Sequence, residues 1–308
     1  MTSAVRESPE AHDAELLRDS LKHALHLAGA FESRQALKVA RDAQRLARRL
    51  RDSRSEAQAL AIATQCHYQR GDYVSAVATG LDACATLDQE ALDGRAHVLH
   101  GVALAFFTVQ EFRRAEDAAR CALEYASLEH ESLLEAYVRS TLAMILCETG
   151  RFDESLAHLR LARARFRKLG EEVHVKKSAS NAGHVWRKRG IAFAAAHEAA
   201  EARRCWRHAT RFYRSALGIG RSRLDDAIAL GCLGECANLL GHHEEAIDYL
   251  RTSAQRTGPR DTVLIVANID LRRGIAERAL GRRGAPSAQG AGSRRHAGAR
   301  GAACGVPP

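Results

Sequence analysis

The sequence predicts an all-α fold built from stacked helical hairpins. Three observations carry that expectation: composition, a recurring small-residue pattern, and the turns that precede it. Ala, Leu, Arg and Glu dominate the 308 residues, with only 5 prolines and 2 methionines. Aromatic residues make up 5%, thin for a core of mixed structure but sufficient where Ala and Leu pack helix on helix.

The repeat comes next, because a fixed period decides the architecture. A small residue is followed by an apolar one, then by small or apolar residues three to four positions apart. It reads Ala36-Leu37, Ala40, Ala43, and returns as Ala76-Val77, Gly80, Ala83. It continues as Ala115, Ala119, Ala122, then Ser155-Leu156, Leu159, Ala162, and last Ala246-Ile247, Leu250, Ser253. The first residues are spaced by 40, 39, 40 and 91 positions, so a further repeat lies in the long gap. Gly71-Asp72-Tyr73, Gly150-Arg151-Phe152 and Gly241-His242-His243 supply turns before three of the sets, and Gln110-Glu111-Phe112 replaces the glycine turn before the third. An amphipathic stretch precedes each turn, for example Leu230 to Ala237 and Leu99 to Phe106.

In the gap, Ala182-Gly183, Trp186 and Gly190 read as a first helix. The best second-helix match, Trp206, Ala209, Phe212-Tyr213 and Ala216-Leu217, falls 14 residues later than the period requires. Those residues either lengthen both helices, which would then project from the stack, or form an additional short helix. Ile269, Leu271, Gly274, Ala276, Leu280 and Gly281 read as the first helix of a seventh hairpin with no partner.

Periodicity ends there. Residues 282–308 hold five arginines, no acid, six Gly, seven Ala and three of the prolines. Such a composition cannot bury a core and is expected to be disordered. The abrupt change suggests a truncated or frame-shifted natural sequence. The polar residues 1–13 are expected to be disordered too, which leaves residues 14–281 for the repeat array. Of the net charge of +9, five belong to the tail arginines, leaving +4 on the remainder. High pI is therefore weak support for nucleic-acid binding. No run approaches the roughly 20 apolar residues of a membrane span, and the N-terminus lacks the apolar stretch of a signal peptide. A cytoplasmic protein with no membrane partner is expected, and the 8 cysteines, seven inside helical patterns, read as small core hydrophobes.

Catalytic motifs are weak. His197-Glu198-Ala199-Ala200-Glu201 resembles a zinc-protease helix but lacks the second histidine. Cys232 and Cys236, followed by His242 and His243, flank the Leu233-Gly234 pair and suit packing better than tetrahedral zinc. Gly218-Ile-Gly220 lacks the remaining residues of a phosphate loop. Most of the 15 histidines fall on helix faces. No enzyme activity, cofactor or metal is expected.

The pattern resembles the tetratricopeptide repeat. Leu230, Leu233, Gly234, Ala237, Gly241, Ala246, Leu250 and Ser253 match it in register, with Leu in place of its Trp and Ala in place of its Tyr. The resemblance covers roughly residues 20–281. It implies a right-handed superhelical solenoid of about six to seven hairpins that binds a protein or peptide on the face lined by each first helix. Inward positions in that register are Gln58, Ala61, Gln65 and Tyr68; His97, His100, Leu104 and Phe107; and Tyr137, Ser140, Met144 and Cys147. Further along they are Lys177, Ser180, His184 and Arg187, then Ile228, Gly231, Glu235 and Asn238. The partner-binding groove is therefore expected at Gln65, Tyr68, His97, His100, Leu104, Phe107, Tyr137, Met144, His184, Arg187, Glu235 and Asn238. The Lys/Asn/Arg carboxylate clamp of some family members is missing from the early repeats. The long Ala/Arg-rich units also resemble the amino-terminal sensory arrays of bacterial signalling proteins that carry a diguanylate cyclase. No GGDEF-type sequence occurs here. Nucleic-acid binding through the arginine tail is the alternative expectation.

Overall fold

The computed structural model describes residues 9–29, 32–86, 95–128, 130–218, 223–257 and 263–281. Among them lie thirteen α-helices and no strand. They are α1 Pro9–Gly29, α2 Ser33–Leu50, α3 Ser53–Gln69, α4 Tyr73–Thr86, α5 Arg95–Thr108, α6 Phe112–Leu128 and α7 Ser132–Glu148. The rest are α8 Phe152–Lys168, α9 Glu172–Ala195, α10 Ala199–Ala216, α11 Arg223–Leu239, α12 His243–Arg256 and α13 Val263–Ala279. Consecutive helices pair as six hairpins, and α13 is a seventh first helix. The chain forms two compact units, one ending at Asn181 and the other starting at Ala182.

The expectation of a disordered segment 1–13 needs correction, because α1 begins at Pro9. Proline presets the backbone angle of a first helical turn, where its missing N–H costs nothing. Asp13 then pairs with Arg49 of α2 at 2.8 Å, and Leu17 is buried one turn on. Residues 1–8 and the tail 282–308, including Cys304, lie outside the described residues.

In the first unit, every small residue of the repeat is buried where two helices cross: Ala36, Ala40 and Ala43 on α2, Ala76 and Ala83 on α4, Ala115, Ala119 and Ala122 on α6, Ser155 and Ala162 on α8. Small side chains let backbones approach, and larger ones fill the space between hairpins. Val102, Phe106, Leu142, Ile145 and Leu146 form such a filling layer with α6. Ser155 keeps its hydroxyl satisfied at the crossing by donating to the Ala143 carbonyl at 2.6 Å. Glu135 of α7, 4% exposed, is held by Arg139 at 2.8 Å and by Arg165 of α8 at 2.6 Å, which ties the hairpin together.

In the second unit, Ala246, Ile247, Leu250 and Ser253 of α12 are buried against α11, and Ser253 donates to the Ala227 carbonyl at 2.6 Å. Gly241 ends α11 at φ 84°, and the His242 N–H closes back on the Ala237 carbonyl at 2.8 Å. The long gap is filled by longer helices. α9 runs for 24 residues and α10 for 18, and no additional helix separates them. Residues 191–200 at the turn between them are exposed except for half-buried Phe193. Tyr213 and Trp206 of α10 lie where α9 has glycine. A Cβ on Gly183 would meet the Tyr213 ring at 3.0 Å, and one on Gly190 would meet the Trp206 ring nitrogen at 2.5 Å. On α13, Ile269 and Ala276 are buried.

Candidate binding pocket

In the first unit, α3, α5, α7 and the start of α9 are the first helices of successive hairpins. Residues three or four apart on such a helix share a face. His100, Leu104 and Phe107 thus line up on α5, and Tyr137, Ser140, Thr141 and Met144 on α7. Together with Tyr68 at the end of α3 they line an open concave pocket of about 360 Å³, bordered also by Phe166 of α8 and by His174, Lys177, Ser178 and Asn181 of α9.

The walls are pinned by ring contacts. Tyr137 sits edge-on to Phe166 with centroids 5.2 Å apart, and to His174 at 4.7 Å. His174 stacks on Phe166 at 5.1 Å. The Tyr137 hydroxyl is 2.7 Å from His174 Nε2, and Phe107 leans on Phe112 at 6.0 Å. His100 Nε2 is 2.9 Å from the Thr141 hydroxyl.

Charge is scarce in this pocket. Burial, with a smaller contribution from His97, pulls the His100 pKa from 6.5 down to about 4. Burial and then Lys177 lower that of His174. Burial raises that of Tyr137. Near pH 7 the lining therefore holds two neutral imidazoles and a neutral phenol beside Lys177; it includes no carboxylate, but Glu171 lies 3.9 Å from His174 Nε2. The Ser140 and Ser178 hydroxyls are buried and have no hydrogen-bond partner among the described residues.

Of the twelve expected groove residues, Tyr68, His100, Leu104, Phe107, Tyr137 and Met144 converge on this pocket. Gln65 lies one turn before Tyr68 on α3, outside its lining, and exposed His97 faces Glu131 at 3.6 Å. The other four belong to the second unit, where Arg187 joins Glu235 to His184 and Asn238 has partners of its own. Glu235 is paired with Arg187 and, at 2.8 Å, with Arg272 of α13. Arg187 also lies 3.3 Å from His184 Nδ1. Asn238 donates to the Arg272 carbonyl at 3.1 Å and meets His243 Nδ1 at 3.1 Å. These four were expected in the partner-binding groove; here Glu235 and Asn238 also engage Arg272 of α13.

The sequence register named Ser140 and Lys177 as inward but missed Thr141, Phe166, His174, Ser178 and Asn181. Phe166 comes from a second helix. His174, Ser178 and Asn181 flank Lys177 by −3, +1 and +4, and that helical offset was the available signal.

Elsewhere, Cys236 is packed with Leu230, Leu233 and Tyr213, and burial pushes its thiol up to about 12. Cys66 is pushed up to about 11 in the same way. Such thiols pack rather than react. Among the described residues, no helix is long and apolar enough to cross a membrane.

No family model matches the chain, and no curated protein does. Among solved structures, the chain is similar to the quorum sensor NprR from B. thuringiensis, at TM-score 0.59 and 13% identity, over 87% of this chain and 72% of that one. It is similar to the Rap conjugation gene regulator of plasmid pLS20, solved with the Phr* peptide, at TM-score 0.59 and 13% identity, over 85% and 80%. It is also similar to a Rap protein complexed with Competence and Sporulation Factor, at TM-score 0.56 and 15% identity, over 87% and 82%. The helices, their pairing and these likenesses establish the fold as a stack of tetratricopeptide-type helical hairpins.

Proposed function

We propose that the protein is a peptide-binding helical-repeat module, with its ligand seated in the first-unit pocket. One observation carries this reading: six residues spread from position 68 to 144 converge on a single concavity with an apolar centre. Concave, mostly apolar sites with a few polar groups are the usual form of a recognition pocket, and aromatic anchors at a groove centre dominate binding energy. The fold likeness to proteins solved with a peptide or factor adds support. The finer reading is a regulatory module in a bacterial signalling setting, supported by the likeness to a quorum sensor and a conjugation regulator.

The test places the photo-crosslinking residue p-benzoylphenylalanine at Phe107 and, as a control, at Val74, which is 80% exposed on α4. The crosslinked species is identified by mass spectrometry in the source cell. A peptide or protein segment captured at Phe107 and not at Val74 supports the reading. Equal labelling at both positions, or nucleic acid as the captured species, overturns it. Replacement of Phe107 and Tyr137 by Ala should abolish capture at a further pocket position, Met144. Melting of that variant is followed by circular dichroism, so that loss of binding is separated from loss of fold.

A further inference from the structure

A second cavity of the first unit, of about 410 Å³, lies along α2 and shares no residue with the pocket described above. Its lining is cationic. Arg34, Lys38, Arg41 and Arg45 follow one another along α2 at steps of four, three and four, so they share one face. Arg70 joins them from the end of α3. Leu37, 5% exposed, is the apolar residue of the lining. Asp42 is its one carboxylate and lies 3.5 Å from Arg45. Five cations against one carboxylate leave a formal charge of +4 at this cavity.

The folded chain offsets little of that charge. On the same helix but outside the cavity, Arg48 pairs with Glu56, and Arg49 with Asp13. Arg34, Lys38, Arg41 and Arg70 form no ion pair among the described residues. Glu32 and Asp72, which flank the set in sequence, pair with none of them; Asp72 instead lies 3.2 Å from His67 Nδ1. Like charges three or four apart on a helix repel one another. Arg34 also stands in a first turn that holds no acid, where the helix dipole disfavours a cation. None of this helps α2 to fold, and all of it is relieved by an anion from outside the chain.

Three features select that anion. Four of the five cations are arginines, whose planar guanidinium donates two parallel N–H groups to a phosphate. A charge of +4 exceeds what one carboxylate answers, and a cavity in the size range of small-molecule sites requires the anionic groups to be linked and compact. No aromatic ring lines it to stack a base, and the next second helix, α4, has no basic residue along which a nucleic-acid strand would continue.

We infer that this cavity binds an oligophosphate, three or more linked phosphate groups held by Arg34, Lys38, Arg41, Arg45 and Arg70. Two sources carry that group: an inorganic polyphosphate, or the phosphate chain of a nucleoside polyphosphate whose base stays outside.

The test is isothermal titration calorimetry of the full chain, without divalent cations and at about 50 mM salt, where exposed charges are weakly screened. The probes are tripolyphosphate, ATP, orthophosphate, hexaglutamate and a decathymidylate. One tripolyphosphate or ATP should bind per chain, at least about tenfold more tightly than orthophosphate, the size of one additional charge-assisted hydrogen bond. The tighter of the two names the source. Lys38→Glu with Arg41→Glu should weaken that binding at least about tenfold, and Lys38→Met alone by a smaller factor. Arg203→Glu with Arg207→Glu makes the same change in net charge at two exposed, unpaired arginines of α10 and should leave binding unchanged. Melting followed by circular dichroism checks that each variant folds. Equal affinity for orthophosphate and tripolyphosphate overturns the inference, as does equal loss in the α2 and α10 double variants. Tighter binding of hexaglutamate or of the decathymidylate, lost in the α2 double variant, also overturns it, and makes the cavity part of a surface for an acidic peptide or a nucleic acid.

Discussion

Where α11 crosses α12, Gly234 and Leu250 leave no room for one more carbon: a Cβ on Gly234 would lie 2.5 Å from Leu250 Cγ and 3.1 Å from the Ala246 carbonyl oxygen. Gly234 is the residue that aligns this hairpin with the repeat pattern, and the contact shows the physical reason. The two backbones are in near contact, so the crossing distance is set by the absence of a side chain. On α13, by contrast, no atom of the described residues lies within 4 Å of a Cβ built on Gly274.

These two glycines should respond oppositely to the same substitution. Gly234→Ala should lower stability by about 1–2 kcal/mol, since overpacking typically costs 1–3 kcal/mol and part is returned by better helix propensity. Gly274→Ala should raise it by up to about 1 kcal/mol, the helix-propensity difference alone. Urea midpoints followed by circular dichroism check both. A gain in the first variant would show that the helices can separate at this crossing.

The turn after α5 presents a different strain. Gln110 occupies the left-handed region at φ 64°, where the equivalent turns have Gly71, Gly150 and Gly241. Its backbone still closes the helix, with the Glu111 N–H donating to the Phe106 carbonyl at 3.0 Å. A left-handed conformation costs an L-residue about 1–2 kcal/mol, while added glycine freedom in the unfolded chain returns about 0.5–1. Gln110→Gly should therefore stabilise the fold by about 0.5–1 kcal/mol, seen as a higher urea midpoint with an unchanged slope. An unchanged or lower midpoint would mean that the turn is not strained.

His100 should make stability depend on pH. Its pKa is depressed to about 4 in the fold, against 6.5 for the free ring. Between those values the unfolded chain binds a proton that the folded chain refuses, so stability rises with pH. The contribution is present in full above 6.5 and is lost as pH falls toward 4. From pH 7 to pH 5 the loss should be at most about 2 kcal/mol, and smaller because the ring borders an open pocket. His100→Gln keeps a partner for Thr141 and should flatten this slope. His158 and His174, whose pKa values are also lowered by burial, should leave a residual slope of the same sign. An identical pH profile for variant and parent would sink the assignment.

Much of the architecture was legible along the chain, because in a hairpin stack the demands on each residue are local. A crossing admits only a small side chain, and a helix end that turns sharply favours glycine. Ala36, Ala76, Ala115 and Ser155 therefore announce hairpins at steps of 40, 39 and 40 residues, Ala246 announces another after the longer gap, and all five are buried. The same register puts His100, Leu104 and Phe107 on one face of α5, where they line one pocket.

Tertiary structure decided the remainder. Arg187, Glu235 and Asn238 occupy the same register positions, yet α13 supplies Arg272, and the resulting ion pairs and hydrogen bond draw these side chains into one network. A register cannot foresee a partner 34 or more residues away. Nor can it foresee that Phe166, from a second helix, would floor the pocket, or that His174 would stack on it at 5.1 Å. The physical reason is common to both cases. Periodicity determines which way a side chain points, but the charges and rings it meets there belong to another helix, and only packing brings them together.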